Sequence, residues 1–242
     1  MSAVKPILWR GNKQSVAPLA VRGSYKALAY LDRSITSRYL LRQLVVSPIC
    51  KEIGIFGSNG RALLNEISKW KGVTEASLMK VNLDESKSSG NAYQSVAFNV
   101  SKEGCLKDSE DFVKKAQNVS HFNFLSDLRG SGESDLLQLL KDVGFRGRTS
   151  VFKPAMILPG STETADNELS FVTRISQTSY PIISQFLPVR YRQVYADDLA
   201  LAIRLNAELC LPEHQKDASE QYTVERLFYS DCMQVIGRDD LI

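Results

Sequence analysis

The sequence predicts a doubly wound α/β domain, on three observations. From residue 27 short apolar runs alternate with amphipathic stretches, the pattern of strands joined by crossover helices. Six such runs occur before residue 153, enough for a parallel sheet with helices on both faces. At 242 residues, 43% hydrophobic and 24% charged, the chain has a globular balance and the length of one ordinary domain.

The elements follow in order. Residues 27–31 (ALAYL) read as a buried strand, and residues 39–46 as a helix with Tyr39, Leu40 and Leu44 on one face, stopped by Pro48. Residues 52–56 (EIGIF) form the second strand and 57–60 (GSNG) its turn. Residues 61–70 make a helix striped by Leu63, Leu64, Ile67 and Trp70. The alternation in 76–83 predicts a third strand, and 95–100 a fourth. A helix near 108–117 leads to the fifth strand at 120–125, and one near 133–143 to the sixth at 149–152, ended by Pro154. Residues 159–187 read as loops with one short helix, and 198–209 as a helix. The division expected is a basic arm over 1–26 and one domain over 27–242, with a sheet core over 27–158 and a small irregular C-terminal part over 159–242.

Composition narrows the function classes. The net charge of +3 does not argue for nucleic acid. Five cations (Lys5, Arg10, Lys13, Arg22, Lys26) and no acid fall in the first 31 residues, leaving the remainder slightly acidic. That start suits a mitochondrial targeting sequence, and the competing reading is a retained basic arm that meets a partner subunit or anionic lipid. No run approaches the ~20 apolar residues that span a bilayer, so the chain is not expected to be transmembrane. Four dispersed cysteines without a C-x-x-C pair, and two histidines, predict neither a disulfide scaffold nor a metal site.

Several segments carry a family resemblance. Residues 72–84 (GVTEASLMKVNLD), 121–126 (HFNFLS), 150–154 (SVFKP) and 194–200 (VYADDLA) resemble the atypical extended short-chain dehydrogenases, over about residues 27–236. The NmrA-like, Tat-interacting-protein-like and respiratory complex I accessory-subunit branches are the most similar. The resemblance implies a Rossmann-like sheet of the short-chain dehydrogenase/reductase type, with a nicotinamide dinucleotide as family cofactor.

The family's functional positions are largely replaced. Its glycine loop lets pyrophosphate approach bare backbone at a helix N-terminus. With Arg38-Tyr39-Leu40 set at the start of the first helix, Leu31, Ser34 and Ser37 fall on the three glycine positions. A second alignment makes 53–60 the first strand and glycine loop, but it leaves too few residues for the βα units that must follow. Arg61 falls where relatives meet a 2′-phosphate and Asp84 where they meet adenine. Both are also ordinary surface or capping residues. The family's Tyr-x-x-x-Lys proton donor is absent, since none of the nine tyrosines has lysine four residues on. The matching spacing carries Leu137 and Lys141, while Ser126 falls on the family serine.

The expectation is therefore a catalytically inactive, dehydrogenase-like accessory subunit. It would act through protein contacts in a large mitochondrial complex of the respiratory-chain or ATP-synthase type, on the matrix side, with no cofactor. The alternative is an NAD(P)H-binding oxidoreductase, with NADPH as its cofactor. Ser-His-Asp hydrolysis lacks a G-x-S-x-G motif, and His121, inside a strand, is expected to be packed or at an edge.

Overall fold

A computed structural model describes residues 23–57, 59–83, 95–100, 106–126, 132–159, 188, 192–210 and 222–238. The elements are β1 (Tyr25–Tyr30), α1 (Ile35–Val46), β2 (Cys50–Phe56), α2 (Gly60–Ile67), α3 (Glu75–Leu78), β3 (Val81–Asn82), β4 (Ser95–Asn99), α4 (Leu106–Lys115), β5 (His121–Leu125), α5 (Glu133–Asp142), β6 (Arg148–Phe152), β7 (Ile157–Leu158), β8 (Val194–Tyr195), α6 (Ala196–Leu209), β9 (Thr223–Leu227) and α7 (Tyr229–Val235). Seven strands form one parallel sheet in the order β3-β2-β1-β4-β5-β6-β9, and β7 pairs with β8 in a small second sheet. The strand order reverses between β1 and β4. This is a doubly wound, Rossmann-like α/β fold. Its topology makes 25–30 the central strand and places the glycine-containing turn at 57–60 after β2.

Two apolar layers cover the sheet. On one face α1 and α6 lie over Ala27, Ala29, Ile53, Ile55, Val96 and Phe98. Small residues of α6, among them Ala196, Ala200, Ala202 and Ala207, bring that helix close to the sheet. On the other face Phe112 and Val113 of α4, Ala116 just after it and Leu140 of α5 meet Tyr30, Ala97, Phe122, Phe124 and Val151. The ring of Phe112 packs on Tyr30, Phe56 and Phe122 at centroid separations of 5.6 to 5.8 Å. A Cβ on Gly60 would stand 2.7 Å from Leu83 Cδ2, so glycine there lets α2 start against β2 and β3.

Two sequence expectations are corrected. Residues 76–83 are not one strand: α3 takes the first part and β3 holds only Val81 and Asn82. Thr74 and Ser77 explain this. The Thr74 hydroxyl accepts from the Ser77 amide, and the Ser77 hydroxyl accepts from the Thr74 amide, a reciprocal cap that stabilises a helical turn. The sheet also has a seventh strand. β9 comes from the C-terminal part that was expected to be irregular, and it pairs with β6 along its whole length. The expected elements within 160–187 lie outside the described residues.

Polar groups are buried beneath α6 near the N-terminal edge of the sheet. His121 Nε2 lies 2.7 Å from Ser150 Oγ, which donates to Glu225 Oε1 and accepts from Asn206 Nδ2 at 3.0 Å. Arg148 pairs with Glu225 through two nitrogens. The single hydroxyl hydrogen of Ser150 goes to Glu225, so His121 donates through Nε2 and its Nδ1 is unprotonated. Burial, with Arg148 nearby, brings the His121 pKa down to about 3, only partly opposed by Glu225. The histidine is packed, as the sequence implied.

This histidine predicts acid lability. Its ordinary value is about 6.5, so between about 6.5 and 3 the unfolded chain binds a proton that the native chain refuses. Its contribution to stability is complete above that window and declines through it at up to about 1.4 kcal/mol per pH unit. Urea unfolding across that range should show a shallower slope for His121→Gln, which keeps the donor to Ser150. Identical slopes would show that another group controls the acid limb.

Candidate functional site

In this topology the ligand crevice opens where β1 and β4 part, at the C-terminal ends of the strands. The local sequence there is Leu31-Asp32-Arg33-Ser34, running into α1. Leu31 is 1% exposed and belongs to the core. Ser34 is the N-cap of α1 and its hydroxyl accepts from the Ser37 amide at 3.3 Å. Asp32 folds back into the turn: Oδ1 accepts from the Ser34 amide at 2.9 Å and from the Ser37 hydroxyl at 2.7 Å. Asp32 is 8% exposed and Ser37 is fully buried. The Asp32 carboxylate thus supplies the negative group that the N-terminus of α1 attracts.

The three positions that the resemblance sets on the glycines serve this turn. Leu31 fills space under it, Ser34 caps the helix and Ser37 bonds inward to the carboxylate. A pyrophosphate at the same N-terminus would meet a buried like charge. At 4 Å that repulsion is about 4 kcal/mol with an effective dielectric near 20.

The other sequence-derived positions that the structure describes are spread over several elements and do not gather at one place. Arg61 is exposed in the first turn of α2. Arg33 reaches from the β1 turn to the β2 turn and donates through Nε to Asn59 Oδ1 at 3.3 Å. Asp84 lies outside the described residues. Ser126 follows β5 and is 8% exposed, its amide bonded to Phe152 O. Leu137 is packed against the apolar cluster of α4 and α5, and Lys141 is exposed in the last turn of α5. The leucine at the position expected for the family tyrosine is therefore engaged in packing.

Sequence reasoning missed two arrangements. At the C-terminal edge, Glu133 in the first turn of α5 accepts from Lys153 Nζ at 2.6 Å and Arg226 Nε at 2.7 Å. Burial raises the carboxyl's pKa, but these two cations outweigh it and hold Glu133 below its ordinary value. The lysine of SVFKP carries half of that signal; its partners are far off in sequence. The second is the Ser150, His121 and Glu225 grouping. Its hydroxyl lies between the other two groups, donating to the carboxylate and accepting from the imidazole, whereas a hydrolase nucleophile donates to its histidine. Ser150 and His121 are also 0% and 1% exposed, and the cluster begins at the edge opposite the crevice. The group ties β5, β6 and β9 together beneath α6. Burial pushes the Cys50 and Cys210 thiols up to about 12, which suppresses thiolate chemistry at neutral pH.

No family model and no curated protein matches the sequence. Among solved structures, the chain is similar to the PhqB reductase domain from Penicillium fellutanum, with 10% identity and a TM-score of 0.52, over 90% of this chain and 72% of that one. A UDP-N-acetylglucosamine 4-epimerase from Methanobrevibacter ruminantium M1, in complex with UDP-N-acetylmuramic acid, aligns with 10% identity and a TM-score of 0.48, covering 85% and 77%. BdcA in complex with NADPH aligns with 11% identity and a TM-score of 0.47, covering 85% and 94%. The likeness to the PhqB domain shows the shared Rossmann-like fold.

The Asp32 turn makes a measurable prediction. Asp32→Ala removes the acceptor of one backbone amide and one buried hydroxyl, and should lower stability by about 1–2 kcal/mol in urea unfolding. Asp32→Asn keeps an acceptor and should lose less. Equal stability of Asp32→Ala and the parent chain would show that Ser34 alone holds the turn.

Proposed function

We propose that this chain is a dehydrogenase-like Rossmann domain that works as a binding protein and performs no redox chemistry through the family's route. The observation that carries this reading is the Asp32 carboxylate bonded into the N-terminus of α1, where the dinucleotide's phosphates would be held. The packing of Leu137 supports it, because a leucine side chain transfers no proton. The resemblance to complex I accessory subunits and the acid-free basic start favour a protein complex of the mitochondrial matrix or inner membrane as its setting.

A second reading keeps the chemistry of the fold: an NAD(P)H-binding oxidoreductase with an unusual proton donor. Arg33, which bridges the β1 and β2 turns through Asn59, and Arg61, exposed in the first turn of α2, are the residues that favour it, since guanidinium groups there suit a 2′-phosphate. The PhqB domain, which shares the fold, is a reductase.

Titration calorimetry with NADPH and NADH separates the two. The first reading expects no heat of binding up to millimolar ligand. A micromolar dissociation constant, weakened by Arg33→Ala or Arg61→Ala, would establish the second. The first reading also expects Leu137→Tyr to leave the chain without nicotinamide oxidation against small carbonyls, although it recreates the spacing to Lys141. Turnover by that single variant would overturn it.

A further inference from the structure

The N-terminal edge of the sheet, opposite the crevice, carries a group of cations that neither functional reading uses. Helix α1 ends there, and the carbonyls at and just beyond its end draw lysines: Lys80 Nζ donates to Val45 O at 3.3 Å and Ser47 O at 2.9 Å, and Lys51 Nζ to Pro48 O at 3.0 Å. Beside them Arg42 donates to Lys71 O at 2.9 Å, with its guanidinium 5.9 Å from the ring centroid of Trp70. Lys51, Lys69 and Lys71 are exposed and Lys80 is half-buried. Two acids of the surrounding elements are engaged elsewhere, Glu52 with Lys26 and Glu66 with Arg38, leaving Glu75 to face the group. Two apolar side chains project from the same edge, Val46 at 38% and Met79 at 87% exposure.

From this arrangement we infer that the corner formed by the ends of α1, α2 and α3 is a docking face for an anionic lipid bilayer. Lys51, Lys69, Lys71 and Lys80, with Arg42, meet the headgroup layer, and Met79 and Val46 enter the boundary below it. Three features favour a bilayer over an acidic protein. The exposed cations are lysines, Lys51 at the start of β2 and Lys69 and Lys71 in the turn after α2, point charges suited to a diffuse negative surface, and lysine is depleted in protein interfaces. The apolar side chains are isolated tips and form no contiguous patch. Residues 1–22, with four further cations and no acid, join the folded chain at this edge, where the Tyr25 amide bonds to Ile49 O. Docking here leaves the crevice open, so the inference is independent of how the crevice is used.

The test is flotation of the full chain with phosphatidylcholine vesicles, with and without about a third phosphatidylserine. Binding is expected only with phosphatidylserine, and release on raising salt from about 0.1 M to 0.5 M, where screening shortens the reach of exposed charges. The Lys69→Ala/Lys71→Ala double variant should lower partitioning about thirty-fold at low salt, with an unchanged melting temperature. Met79→Ser should weaken binding several-fold and leave the salt dependence unaltered. Three results would overturn the inference: equal binding to both vesicle types, binding unaffected by the double variant (the arm then being sufficient), or binding to polyglutamate and to neither vesicle.

Discussion

The structure depends on the burial of charge beneath α6. The last turns of that helix lie over the N-terminal edge of the sheet, where two carboxylates are removed from water. Glu208, on the helix, accepts from Tyr25 Oη at 3.2 Å and Ser47 Oγ at 2.6 Å, and lies 3.6 Å from Arg204 Nε. Glu225, on β9, is held by Arg148, Ser150 and Asn206. A buried carboxylate that loses its partners destabilises a fold by about 3–5 kcal/mol, so helix and strands have one mutual register. Tyr25, Ser47 and Arg148 come from the start of β1, the end of α1 and the start of β6. One helix thereby locks the central strand and the outer strands together.

That arrangement separates the two edges of the sheet. Polar interactions that hold the fold are concentrated where the strands begin, which leaves the strand ends to be shaped by their turns. There the Asp32 carboxylate meets the positive end of α1, and Glu133 gathers Lys153 and Arg226 at the start of α5. Both are acidic groups placed by the fold at a helix N-terminus. The positive end of each helix dipole stabilises the carboxylate beside it.

Much of the fold was legible because burial on both faces leaves a simple trace. β1, β2, β4, β5 and β6 are short apolar runs between turn residues, and each lies within two residues of its expected start. The misses have physical causes. Alternation in 76–83 suggested a strand, but the Thr74 and Ser77 cap stabilises a helical turn that periodicity does not report. Strand β9 reads TVERL, with a glutamate and an arginine at its centre, and such a segment resembles surface. It joins the sheet because Arg148 waits for Glu225 and Glu133 for Arg226, 77 and 93 residues away in sequence.

At the candidate site, the sequence alone determined the residue types: under the family resemblance, Leu31, Ser34 and Ser37 fall on the glycine positions and Leu137 on the tyrosine, none of them suited to phosphate approach or proton transfer. Both limits follow from residue type, since a Cβ obstructs close phosphate approach and a hydrocarbon carries no proton. The pairing of Asp32 with Ser34 was within reach, as an aspartate two residues before an amide it can bond is a local turn signal. Only the tertiary structure decided that this carboxylate is buried against α1, that Leu137 packs, half-buried, against the apolar cluster of α4 and α5, and that Ser150 is committed to Glu225. Each of these depends on which surfaces the packed elements shield from water. Shielding is a property of the assembled sheet and helices, and no stretch of sequence contains it.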